Sequence, residues 1–361
     1  MNKIFIILFT LLVSISLTFG QSESSKEKAL EYGMEAIKIM DEGKFDKAIE
    51  LLRKAEKLDP ERIDYSYEIA YALYSQTEYK KAIKELQKMI THKDVTDQHF
   101  QLLGNCFDYI KKPDEALRVY KQGLKKFPNS GKLYLEQGIV EYYRENYDNA
   151  IDYWEKGVEV DPVFSSNYYW LGKVFSYSEE RIWSLLYGEV FINLERNSKR
   201  TIEMSKILFD VYKKSINITS DTSGGVSFSK VMNINPTKKF KIPFQMTYGL
   251  TMTMSLAIEI INSESEISIS SINSLRQNFI VNWYAQKREK DYPNLLFNFQ
   301  ELLNEKGYFE CYNYWFLMKG NEEEFDKWYK ENEVKFNEFA DWFNENPLLI
   351  DSKNYFSRLK Y

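Results

Sequence analysis

At 361 residues, 44% hydrophobic and 28% charged, the chain is long enough for two domains or for one solenoid with an appended module, and its composition is not that of a disordered tail. A formal net charge of −5, with no long basic block interleaved with aromatics, argues against a nucleic-acid partner. The two cysteines, Cys106 and Cys311, lie inside apolar helical patterns and read as buried small hydrophobes, with a disulfide as the alternative. The two histidines, His92 and His99, read as helix-end or surface imidazoles and leave little material for a metal site or a catalytic base.

Residues 1–20 combine Lys3, an uncharged run from Ile4 to Phe19 rich in Ile, Leu and Phe, and the small Gly20. This pattern predicts a secretory signal peptide cut before Gln21, with an uncleaved anchor as the alternative. No cysteine follows the run, which argues against lipoprotein anchoring. The expected mature chain is exported to the periplasm, the cell envelope or the medium. It has no transmembrane segment, and envelope association is left open. Residues 21–28 form a polar lead.

An internal repeat follows. Ala48, Ala82, Ala116 and Ala150 are 34 residues apart, as are Ala36, Ala70, Gly104, Gly138 and Gly172. Leu52, Leu86, Tyr120 and Trp154 keep the same step, and so do Phe45, Tyr79, Pro113 and Tyr147, and Pro60, Asp94, Pro128 and Pro162. Small residues on each helix of a pair let the axes approach, bulky ones fill the groove between pairs, and proline ends the second helix. The units are 29–62, 63–96, 97–130 and 131–164, with a degenerate fifth at 165–194, where Ser184 replaces alanine and Gly188 the bulky residue. Glu141 stands where the fourth unit expects a large apolar side chain.

In the clearest unit, Tyr134, Gly138, Tyr147, Ala150, Trp154, Gly157 and Pro162 together resemble a tetratricopeptide repeat. The resemblance covers residues 29–194 and implies an all-α fold, an α-α superhelix with a concave groove that binds a protein or peptide without chemistry. Carried over by phase, the groove positions are Tyr67, Tyr71 and Tyr74, then Gln101, Asn105 and Tyr109, then Leu135, Ile139, Tyr142 and Tyr143, then Tyr169, Lys173 and Tyr177. The set is rich in tyrosine and nearly uncharged, which suits recognition of an extended peptide or a helix. The alternative is packing against the C-terminal half. One subfamily grips chaperone C-terminal carboxylates with lysines, asparagines and an arginine. Gly33 and Ile37 stand where that set would begin, so this mode is not expected.

Residues 195–216 read as a helix capping the stack, and 217–243 as a linker or a small β-hairpin around Gly224-Gly225. Residues 244–361 return to helices, predicted at 244–261, 265–286, 294–305, 308–319 and 321–344, with Gly307 and Gly320 placed to end two of them. Asn321 with Glu324 is a capping-box variant, and Phe325, Trp328, Tyr329, Phe336, Phe339 and Phe343 form a stripe read as core. Met246, Met252 and Met254 read as packing residues, not a soft-metal site, because Met252 and Met254 would point to different sides of a helix. The acidic pairs Glu179-Glu180 and Glu322 to Glu324 read as solvated or first-turn charges. No catalytic residue, metal site or cofactor is expected. The leading expectation is therefore an exported interaction scaffold. A glycan-binding module is the runner-up, and an enzyme with its site in the C-terminal half comes third.

Overall fold

The computed structural model describes residues 23–220, 223–230, 242–256 and 267–361, so the predicted signal segment lies outside the described residues. Among the described residues the fold is all-α apart from one short hairpin. Backbone contacts divide it into two compact units that meet in sequence between Glu145 and Asn146. The divide falls inside the fourth repeat.

The first unit holds α1 (23–41), α2 (Phe45–Leu58), α3 (Ile63–Ser75), α4 (Tyr79–Met89), α5 (Asp97–Tyr109), α6 (Pro113–Lys126) and α7 (Gly131–Tyr143). From α2 onward each helix packs on the next, and α5 also touches α3 and α7, so these three form one layer. The helix starts are written locally. Thr96 and His99 make a capping box at α5, Pro113 opens α6, and Ser130 accepts from the Leu133 N–H at α7. His99 is thus a helix-start residue, but a buried one whose ring lies 4.8 Å from that of Tyr67.

In the first three repeats a smaller residue on one helix of the pair accompanies a bulkier one on the other. Ala36 shares a core with Leu52, and Ala70 with Leu86, whereas Gly104 faces the larger Tyr120. A Cβ added at Gly104 would stand 2.0 Å from Tyr120 Cε1, so the bulkier ring is admitted only because the facing helix gives up its methyl. A second regularity lies in the turns. Gly43, Thr77, Lys111 and Glu145, spaced by the same period, all have φ between 61° and 76°. Each closes the turn between the two helices of its repeat in the left-handed region.

The second unit comprises α8 (Tyr147–Val160), α9 (Ser165–Ser176), α10 (Arg181–Leu194), α11 (Lys199–Ser215), β1 (Ile216–Ser220), β2 (Ser223–Val226), α12 (Phe244–Ser255), α13 (Ile269–Ala285), α14 (Arg288–Asp291), α15 (Leu295–Glu305), α16 (Phe309–Leu317) and α17 (Glu322–Glu345). A 3-10 turn at Arg358–Lys360 follows. The departures from the repeat pattern at α9 and α10 tighten the pair. A Cβ on Gly172 would lie 3.1 Å from Gly188 Cα, and the Ser184 hydroxyl donates to the Gly172 carbonyl at 2.7 Å. α10 is buried from Ile182 to Asn193, which places it at the centre of this unit.

α11 packs on α9 and α10 and also touches α16, where the Lys319 N–H donates to Ser205 Oγ at 3.1 Å and Gly320 abuts Phe209. The segment after it forms the antiparallel hairpin, with Ile216 opposite Val226 and Asn217 opposite Gly225. Residues 231–241 of the predicted linker or hairpin segment lie outside the described residues. Phe228 is buried edge-on against Tyr212 and Tyr248.

Gly307 ends α15 with a φ of 76°. Gly320 serves a different purpose, because a Cβ there would meet Phe209 Cβ at 2.2 Å. Asn321 caps α17, yet the Glu324 carboxylate turns to the start of α13 and accepts from the Ile269 and Ser270 N–H groups at 2.7 and 2.8 Å. The aromatic stripe of α17 divides: Phe339 and Phe343 are buried, whereas Phe325, Trp328, Tyr329 and Phe336 are only half-buried. Met252 is core and Met254 is exposed. Cys106 and Cys311 are free, buried thiols, their pKa values pushed up by burial to about 12 and about 11.

Candidate functional site

In the first unit α1, α3, α5 and α7 are the first helices of successive repeats, so side chains at one phase fall on one face. On α3, Tyr67 is half-buried beside His99, and burial pushes its hydroxyl up to about 12. Tyr71 and Tyr74 stack at 6.5 Å, and Tyr74 meets both Tyr79 and Tyr109 edge-on at 5.6 Å. Tyr79 and Tyr109 stack at 5.0 Å with their planes 9° apart. These four rings form one cluster from three helices, and Tyr71 and Tyr109 keep 44% and 55% of their surface exposed. On α1, Leu30, Met34 and Ile37 are exposed at helical spacing, and Ile37 stands one period before Tyr71.

Polar groups follow on α5 and α7. Gln101 Nε2 donates to Glu136 Oε1 at 2.7 Å. The Asn105 amide, turned so that both its ends are satisfied, points its nitrogen at Glu136 Oε2 at 3.3 Å and at the Gln101 carbonyl at 3.0 Å. On α7, Leu135 is buried, Ile139 and Tyr142 are half-buried, and Tyr143 is exposed, with Tyr142 and Tyr143 edge to face at 5.6 Å.

The expectation of a nearly uncharged face is corrected here. Glu68, Asp108 and Glu136 are half-buried on these helices, and none forms an ion pair among the described residues. Of the nearby cations, Lys132 pairs with Asp97 at 3.4 Å and Arg144 with Asp114 at 2.6 Å, while Lys111 and Arg144 favour the ionised Asp108 from a distance without bonding to it. Burial raises the pKa of all three carboxyls, and Asp108 adds like-charge repulsion at Glu136. Sequence phase could have found them. Asp108 stands one period after Tyr74 and one before Tyr142, and Glu136 is two periods after Glu68.

Residues 40–106 and 103–162 match two family models, each described as a tetratricopeptide repeat. Residues 40–162 are thus tetratricopeptide repeats. It is similar to tetratricopeptide repeat protein 21B of Mus musculus, 26% identical over 118 residues, which is 33% of this chain and 9% of that protein. It is also similar to the Hsp70-Hsp90 organizing protein of Triticum aestivum, 23% identical over 117 residues, covering 32% of this chain and 20% of that one. The chain thus spans a minor part of the length of these curated relatives. Among solved structures, PilF of Pseudomonas aeruginosa matches 53% of this chain and 86% of its own at 17% identity and a TM-score of 0.45. The MamA protein matches 47% and 93% at 20% identity and a TM-score of 0.38.

The fifth-repeat positions lie in the second unit and are differently placed. Tyr169 is buried, its hydroxyl donates to Glu203 at 2.6 Å, and Lys173 reaches the same carboxylate at 2.8 Å, so α11 occupies both. Tyr177 is 78% exposed at the end of α9. Among the described residues no group of His, Cys, Asp and Glu is arranged to hold a metal ion, and no helix is long and apolar enough to cross a membrane.

Proposed function

We propose that this tetratricopeptide-repeat chain is an interaction scaffold whose α1, α3, α5 and α7 face holds an extended peptide or a helix of a protein partner. One observation carries the reading. Tyr71, Tyr74, Tyr79 and Tyr109 are preassembled on one another while the outer rings remain open. Aromatic side chains already held in place bury area on binding at little further entropic cost. The likeness to an Hsp70-Hsp90 organizing protein brings no chaperone-tail partner with it, since Gly33 and Ile37 offer no clamp residues and the face carries carboxylates. Site-specific photocrosslinking tests the reading. A benzophenone placed at Tyr109 should capture partner protein, and one at the outer-face Arg118 should not. Equal capture at both positions would overturn it.

We also propose that the mature chain is exported, on the strength of the apolar run from Ile4 to Phe19. N-terminal sequencing of the protein recovered from an envelope or culture fraction should begin at Gln21. Recovery of the chain in the cytosol with Lys3 retained would overturn this.

A further inference from the structure

We propose that the segment bound on this face is basic, with lysine or arginine side chains alternating with apolar ones; the inference rests on the groove reading above. The argument is charge complementarity. Asp108 and Glu136 lie on the adjacent helices α5 and α7, close enough that the Asp108 charge adds to the cost of ionising Glu136, and Glu68 lies on the same layer on α3. The hydrogen bonds to Glu136 from Gln101 and Asn105 hold the carboxylate in position without neutralising it. Lys111 and Arg144 act on Asp108 only from a distance, and no cation is bonded to it or to Glu136 among the described residues. Such partly desolvated carboxylates are costly in the free protein, and a partner's ammonium or guanidinium lowers that cost. Beside them the Tyr74, Tyr79 and Tyr109 rings add faces on which a cation is stabilised. The exposed Leu30, Met34, Ile37 and Tyr71 supply the apolar contacts between the charged ones. An acidic or neutral segment would leave Asp108 and Glu136 buried under it unpaired.

A phage library of random dodecapeptides selected on the immobilised mature protein tests this. The recovered peptides are then synthesised with a fluorescein label and titrated by anisotropy, with circular dichroism confirming the fold of each variant. The expected result is enrichment of peptides carrying lysine or arginine, with binding weakened by added salt and about tenfold by Asp108→Asn with Glu136→Gln. Tyr71→Ala with Tyr109→Ala should weaken the same peptides. If enriched peptides carry no basic bias and bind Asp108→Asn/Glu136→Gln as well as wild type, the charge inference fails while the groove survives. If they bind Tyr71→Ala/Tyr109→Ala as well as wild type, the groove reading itself fails. Light scattering that shows a dimer abolished by the tyrosine substitutions would make the occupant a second copy and would also overturn the proposal.

Discussion

Arg276 holds Glu189 through two parallel hydrogen bonds, Nη1 to Oε2 at 3.0 Å and Nη2 to Oε1 at 2.8 Å, with both side chains at most 5% exposed. Further hydrogen bonds surround the pair: Arg276 also donates to Asn313 and Tyr212, and Glu189 accepts from Gln300 and Tyr312. The pair ties α10 to α13, and its partners bring in α11, α15 and α16. Breaking a buried pair strands a charge, so Arg276→Met should lower stability by about 3 to 5 kcal/mol in urea denaturation. Adding Glu189→Leu to Arg276→Met should recover part of that loss. A single substitution costing under about 1 kcal/mol would show that the ionic network does not hold this unit together.

Gly104 and Tyr120 make a second coupled pair. Gly104→Ala places a methyl against a ring that is 1% exposed and cannot swing away, and should cost about 2 kcal/mol. Combining it with Tyr120→Leu reproduces the alanine-with-leucine solution of the two preceding repeats. The double variant should therefore be no less stable than Tyr120→Leu alone. Thermal denaturation of the three variants checks the cycle, and simple additivity would refute the exchange of volume.

This relation explains what could be read in the chain beforehand. The period of Ala48, Ala82 and Ala116 reports local contacts between helices adjacent in sequence, so the pairing and turns of α1 to α7 followed from spacing alone. The network around Arg276 could not be read this way, because its bonded partners lie 37 to 123 residues apart with no period to align them. Glu324 shows the same limit: its local capping pattern was legible, but its use at the start of α13 is 55 residues distant. The inner carboxylates were legible in principle. Asp108 stands at the very phase of Tyr74, among tyrosines whose character dominates that face.

Thr77 adopts φ 61° at the turn position that Gly43 fills with φ 76° in the preceding repeat. A β-branched residue is strained there, whereas glycine is not. Offset by glycine's greater unfolded-state freedom, Thr77→Gly should stabilise the chain by about 0.5 to 1 kcal/mol, raising Tm by ~2 °C. A fall in Tm would mean that the threonine is held by contacts stronger than its backbone strain.

Glu155 on α8 is 1% exposed, accepts from the Tyr187 hydroxyl at 2.9 Å and is paired with Arg358, whose own N–H donates to the same hydroxyl at 2.9 Å. Burial raises its pKa above 4.5, and Arg358 and Tyr187 only partly oppose this. For a carboxyl with a raised folded pKa, the stability it contributes is full below the unfolded value of about 4.5 and is lost as pH rises through the folded value. Arg358 therefore matters most where Glu155 is ionised. Arg358→Ala should cost about 2 kcal/mol at neutral pH, less than a fully enclosed pair because the guanidinium is 31% exposed. The loss should shrink as the solution is acidified towards pH ~4 and the carboxyl takes up its proton. Urea denaturation of the variant and the wild type across that range gives the difference directly. A loss that stays constant with pH would assign the effect of Arg358 to packing on Phe175, whose ring lies 5.4 Å beneath it, and not to its charge.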